Sequence, residues 1–224
     1  MQADSQVADG RARQRARTRR LILVAALDLM EKGVVPTVEQ AAEAADMSPA
    51  TGYRYFPTQA TLLQDAVEAS FPDWSPDELF ANKSGLARID LLIDEGFPNL
   101  VKHEVLDRAV LRLAMDQWLR QKAGQELREA PVQRFGRKPL VGSVVAPLRH
   151  RLNDEQLERL EAALGMVLGI ESYVALSDVY GLEPAEIAEV WRWACKAMVK
   201  AATSQARATT RRKPLSKRKL PPPR

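Results

Sequence analysis

Thr37–Leu63 reads TVEQAAEAADMSPATGYRYFPTQATLL, and this stretch decides the fold. Thr37-Val38-Glu39-Gln40 fits a capping box, in which a Thr hydroxyl and a Gln side chain satisfy free amides at a helix start. Val38, Ala41, Ala42 and Ala45 follow with the one-face spacing of an amphipathic helix. Asp46-Met47-Ser48 interrupts that spacing. Ser48 suits the cap of a second, short helix with Pro49 at its first position, running to Phe56. Pro57 ends it. Thr58 caps a further helix whose buried side is Leu62, Leu63, Ala66 and Val67.

Working outward, the spacing predicts an upstream helix from Arg15 to Lys32, with Ile22, Ala25, Ala26 and Leu29 on one face and Gly33 as its stop. Residues 1–14 show no periodicity and read as a disordered basic arm. Residues 73–85 hold two prolines, Gly85 and few apolar residues, which suits a linker or short irregular helix. Helix resumes near Leu86, breaks around Gly96–Pro98, and continues from Val101 to Lys122 with Leu106, Val110, Leu113 and Ala114 on one side. A helical segment covers Leu140–Arg151. Asn153 and Gln156 form another cap pair, opening a long helix to Tyr180 that carries Leu157, Leu160, Leu164 and Leu168. Gly181 sits where a C-terminal glycine belongs. Pro184 opens a last helix to Ser204, with Ile187, Trp191, Ala194 and Met198 together. No strand pattern or repeat is visible. The expectation is an all-α protein with a helix-turn-helix domain at 15–72, a helical domain at 73–206 and a disordered basic tail at 207–224.

Composition narrows the function classes. The chain has 224 residues, enough for a real core, and no uncharged run approaches the ~20 residues of a membrane span. Six arginines between Arg11 and Arg20 precede the apolar run Leu21–Leu27, which resembles an export signal. Asp28 ends that run, no small-residue cleavage pattern follows, and the spacing suits an amphipathic helix. The cytoplasm is therefore the expected compartment, and no membrane partner is expected. The net charge of +4 hides an asymmetry: residues 21–206 hold 19 basic and 27 acidic residues, while both ends are cationic. Basic ends on an acidic body suit a polyanion, because Lys and Arg release counterions from phosphates.

Two short helices with a three-residue break, flanked by longer helices, read as a helix-turn-helix, whose second helix enters the DNA major groove. The alanines of the first helix allow close packing. Asp46 sits where a left-handed backbone is needed, and Asp tolerates that better than most residues. Pro49-Ala50-Thr51-Gly52-Tyr53-Arg54-Tyr55-Phe56 would be the reading helix. The hydroxyls of Tyr53 and Tyr55 and the Arg54 guanidinium are suited to phosphate oxygens, and Arg54 also to a guanine edge. Ala50 and Gly52 leave room for close approach. The competing reading makes both tyrosines ordinary half-buried aromatics.

These residues resemble the DNA-binding segment of the TetR family of bacterial transcription regulators. The likeness lies in the Thr-apolar start, the paired alanines, the Ser-led turn, Ala-Thr-x-Tyr-x-Tyr-Phe-Pro, and the Leu-Leu pair. It runs without gaps over the 27 residues from Thr37 to Leu63. The resemblance implies an N-terminal three-helix helix-turn-helix domain, and a larger helical domain that binds a small-molecule effector and dimerises through its last two long helices. It implies a homodimer on a palindromic operator in double-stranded DNA, most often as a repressor. By position, Thr37, Thr51 and Tyr55 resemble phosphate contacts, and Pro49, Ala50, Tyr53 and Arg54 resemble base-facing positions. Ser48 and Thr58 complete the DNA-binding set as caps, with Gln59 beside them. The sequence departs from the pattern at Gly52 (usually Leu), Asp46 (usually Gly) and Gln59 (usually Lys). Gln59 removes a cationic phosphate contact and leaves a neutral donor, and the arginines ahead of the first helix are placed to restore the charge.

The C-terminal half matches no specific motif. Phe97, Met115, Trp118, Phe135, Met166 and Tyr173 are candidates for an apolar effector pocket, although Met and aromatic residues at such spacing usually form plain core. Gly165 and Gly169, four apart, suit close helix approach, and Trp191, Trp193, Cys195 and Met198 put apolar area near one end. His103 and His150 lack metal-ligand spacing, Cys195 lies in an apolar helix, and no phosphate-binding glycine loop is present. The reading is of a non-enzyme without cofactor or metal. The alternative is a helix-turn-helix-derived interaction protein with weak or no specific DNA binding, which Gln59 and Glu39 favour.

Overall fold

The computed structural model describes residues 2–71, 75–83, 85–127, 131–132 and 137–211. Among these, every regular element is helical. The helices are α1 (Gln2–Glu31), α2 (Val38–Ala44), α3 (Pro49–Tyr55), α4 (Gln59–Ser70), α5 (Pro76–Leu79), α6 (Leu86–Lys102), α7 (Glu104–Lys122), α8 (Arg137–Val145), α9 (Asp154–Val167), α10 (Ile170–Val174) and α11 (Pro184–Arg211). A 3-10 turn, Ala146–His150, extends α8, and a π-helical turn, Ala175–Val179, extends α10. No single helix among the described residues is long and apolar enough to cross a membrane.

The chain divides into two compact units, residues 1–74 with 95–136 and residues 75–94 with 137–224. The first unit thus joins residues 95–136 to the N-terminal helices through one core. Ile22, Leu23, Ala26 and Met30 of α1 pack with Val38, Ala41, Phe56, Leu62, Leu63 and Ala66, and α7 completes the cluster with Leu106 and Val110. Lys102 also pairs with Glu31 at 3.2 Å. The second unit buries Ile89, Val141, Val144, Leu157, Leu160, Leu164, Ile187, Trp191, Cys195 and Val199, with α9 packed on α8 and α11.

Four differences from the sequence expectation have local causes. α1 begins at Gln2 rather than Arg15. Its N-terminal half is rich in Ala, Arg and Gln, which favour helix strongly enough to carry one Gly10. α6 continues through Gly96–Pro98 instead of breaking there. One proline removes a single backbone bond, which a well-packed helix tolerates. The break falls instead at His103, between α6 and α7.

The long helix expected from Asn153 to Tyr180 is interrupted at Leu168-Gly169, where the two segments bend by 44°. Arg137 explains the interruption. Its guanidinium donates to the Leu168 carbonyl at 3.2 Å and to both Glu171 carboxylate oxygens at 2.9 Å. A Cβ on Gly169 would collide with that guanidinium. Gly169 thus makes room for a side chain, and nothing lies within 4 Å of a Cβ on Gly165, so the pair does not bring two helices together within the unit. Finally, α11 runs on to Arg211, past the expected end at Ser204, while 212–224 of the basic tail lie outside the described residues.

Candidate nucleic-acid interface

α2 begins as its sequence dictates. The Thr37 amide donates to Gln40 Oε1 at 2.9 Å, and the Gln40 amide donates to Thr37 Oγ1 at 3.2 Å. Its end is a Schellman turn built on a non-glycine residue. The Met47 amide reaches back to the Ala42 carbonyl at 2.9 Å, and the Asp46 amide to Glu43 at 3.0 Å. Asp46 holds the required left-handed conformation at φ 57°. Met47, just beyond it, packs on the core of the first unit and fixes the turn.

Ser48 then caps α3, accepting from the Thr51 amide at 3.3 Å, and its hydroxyl lies 3.0 Å from the Thr51 hydroxyl. Pro49 occupies the first turn, where no amide partner is needed. Gly52 faces α2. A Cβ there would stand 2.8 Å from Ala42 Cβ and 3.1 Å from the Val38 carbonyl. The missing leucine is therefore no loss of core: the two helices approach too closely for any side chain. The same fact places Gly52 inside the fold, so it gives no room for an approaching ligand, as the sequence had suggested it would.

With Gly52 and Phe56 turned inward, Pro49, Ala50, Tyr53 and Arg54 share the exposed face. The two tyrosines differ. Tyr53 is 45% exposed, while Tyr55 is half-buried against the core, with the Arg54 guanidinium 5.1 Å from its ring centroid. Tyr53 is thus open to solvent, while part of Tyr55 is taken up by packing. Thr37 is exposed; its Oγ1 accepts within the cap, and its hydroxyl proton remains available for an outside acceptor. Thr51 is half-buried beside Ser48.

Thr58 caps α4 through Thr61, whose Oγ1 accepts from the Thr58 amide at 3.2 Å. Gln59 is used by the chain itself: its amide donates to the Pro36 carbonyl at 2.8 Å, tying α4 to the segment ahead of α2. The second N–H of that amide is not engaged by this bond.

Sequence reasoning missed Arg19. It pairs with Asp65 on α4 and stands over the Phe56 ring at 5.5 Å, locking α1 against the end of α3. The signal was its register: Arg19, Ile22, Ala26 and Met30 are spaced 3, 4 and 4, so Arg19 continues the buried stripe.

The six pocket candidates fall in different parts of the chain. Phe97, Met115 and Trp118 belong to the first unit, Met166 and Tyr173 to the second, and Phe135 lies outside the described residues. Phe97 and Tyr173 are buried, whereas Met115, Trp118 and Met166 are exposed. Burial pushes the Cys195 thiol up to about 12, far from a nucleophile's range. Among the described residues, no group of three His, Cys, Asp or Glu is placed to hold a metal ion. No protein family, curated protein or solved structure matches the chain.

Proposed function

We propose that the chain is a DNA-binding transcription regulator of the TetR type. In this reading α2, its turn and α3 form a helix-turn-helix, and α3 enters the major groove. The observation that carries it is the sorting of α3. Pro49, Ala50, Tyr53 and Arg54 are presented outward, on a helix held rigidly from behind by Gly52 against α2 and by buried Phe56. Arg54 offers a bidentate donor to guanine and Tyr53 a hydroxyl, while Thr37 and Thr51 stand at helix starts suited to phosphate.

A homodimer follows from the second unit. Met166 on α9 is 67% exposed and Trp193 on α11 is 74% exposed, and large apolar side chains so presented suit a partner surface. A two-fold dimer pairs two reading helices with a palindromic operator. Release of a repressor by a small-molecule effector rests on the family resemblance, its largely apolar character on the apolar pocket candidates, and the cytoplasm on the N-terminal sequence.

Selection of bound duplexes from a random pool tests the reading, followed by gel shift on the DNA upstream of its own gene. An enriched palindrome, lost with Arg54→Ala, is the expected result. No enriched site would favour the interaction-protein reading, which Glu39 and Glu43, exposed on α2, support. A monomer by sedimentation at micromolar concentration would remove the palindrome from the reading.

A further inference from the structure

α1 does two different things along its length. From Ile22 onward it is core, with Ile22 and Ala26 fully buried. Arg19, paired with Asp65, marks the edge of the body. Before that edge the helix continues for many residues without cover: Ala12 to Arg17 are exposed, as is Arg20. From Gly10 to Arg20 alone the helix extends about 16 Å.

The stretch from Ala12 to Arg20 carries arginine and no acid. No Asp or Glu lies between Asp9 and Asp28. Arg13 and Arg17, and Arg15 and Arg19, are each four apart, so like charges neighbour one another along the helix. Such pairs weaken an isolated helix, and a polyanion lying along it removes the repulsion. The register also sorts the charges. Arg15 continues the Arg19 stripe, and measured from Arg15, Arg17 falls about 160° and Arg20 about 140° around the helix. A helix about 10–12 Å across with cations on both flanks fits a major groove about 12 Å wide, with the phosphates of both strands in reach.

We infer that the exposed stretch of α1 from Ala12 to Arg20 is a second DNA-binding element, a basic helix that grips the phosphates of both strands beside the site met by α3. This rests on the DNA-binding reading above and adds a sequence-independent anchor to it. Because α1 leaves the body next to Phe56, the C-cap of α3, the two elements meet neighbouring parts of one duplex.

The test uses the full chain and a mixed-sequence duplex that holds no selected site, so that α1 is measured apart from base readout. Arg15, Arg17 and Arg20 are changed together to Gln, and in a second variant to Lys. Affinity is followed against salt. The Gln variant is expected to melt like the parent and to bind more weakly. Its slope of log affinity on log salt should be shallower by about 0.9 per lost phosphate contact, so by about 2.7 in all. The Lys variant should keep the parent slope. An unchanged slope in the Gln variant, or an equal loss in the Lys variant, overturns the inference. A parent that selects no palindrome yet shows this slope difference sinks only the α3 reading. A parent that binds neither pool nor duplex sinks both.

Discussion

The two units are held together by different kinds of bond. In the first, the caps that start α2, α3 and α4 are local: Thr37 with Gln40, Ser48 with Thr51, and Thr58 with Thr61, each three residues apart, with Arg19–Asp65 and Gln59–Pro36 as longer ties on α4. In the second, local caps such as Asn153 with Gln156 stand beside ion pairs that reach across the sequence. Arg137 holds Glu171, and Arg192 on α11 reaches Asp90 at 2.7 Å and Asp94 at 2.8 Å on α6. Lys196 adds a further contact to Asp90 at 2.6 Å. Local caps set where short helices start and so position side chains for a surface. Long-range ion pairs set how long helices lie against one another. A surface that must present α3 in one orientation is better served by the first kind, since each cap acts without waiting for a distant partner.

The largest effect should come from Gly52, because there the first unit depends on packing as well as on its caps. Gly52→Leu must push α3 away from Ala42 and Val38, and overpacking of this kind costs about 3 kcal/mol. Gly52→Ala still meets Ala42 Cβ at 2.8 Å and should cost less, with its better helix propensity offsetting part. Denaturant melts give both values. A neutral Gly52→Leu would mean that the helices separate freely, and the account of a rigidly backed α3 would fail.

Next in size is Arg192→Met in the second unit. Its guanidinium is held charged, well above its ordinary range, chiefly by hydrogen bonds to Asp90 and Asp94. Burial works to raise the Asp90 pKa, but Lys196 and Arg192 outweigh it and hold the carboxylate below its usual range. The loss should be about 2 kcal/mol, after discounting for the exposure of Asp94. Asp90's depressed pKa stabilises the fold above about pH 4 and loses that contribution as pH falls further. The acid limb of the stability curve should therefore shrink in Asp90→Asn. Thr37→Ala, a purely local change, should cost only about 1 kcal/mol and be insensitive to salt. If Thr37→Ala proved the more salt-dependent of the two, the contrast between the units would be wrong.

The same contrast explains what the sequence could disclose. The caps at Thr37, Ser48, Thr58 and Asn153 were readable because both partners lie within one turn. The left-handed turn at Asp46 was readable because few residues adopt it. The bend at Gly169 was not, since its cause, Arg137, lies 32 residues away and leaves no mark on the helical pattern of α9. Nor was the sense of Gly52: a glycine in place of leucine reads as lost packing until the neighbouring helix is seen to fill the space. Among the candidate site residues, exposure separated Tyr53 from Tyr55, and the competing use of Gln59 by the Pro36 carbonyl depends on a contact 23 positions away.

His103 gives the smallest test, and it probes a residue that belongs to neither kind of bond. It sits buried at the break between α6 and α7 and makes no side-chain cap. Burial lowers its pKa below the usual 6.5, Lys102 pushes the same way, and Glu31 opposes both. The folded state therefore prefers the neutral ring. The unfolded chain takes up a proton as pH falls through about 6.5, before the folded one does, so stability declines on the acid side by at most about 1.4 kcal/mol per pH unit until the folded pKa is reached. Thermal melts between pH 7.5 and 5.5 (roughly one unit on either side of the free imidazole value) should show this decline, and His103→Asn should flatten it. If the variant keeps the decline, the proton enters elsewhere in the first unit.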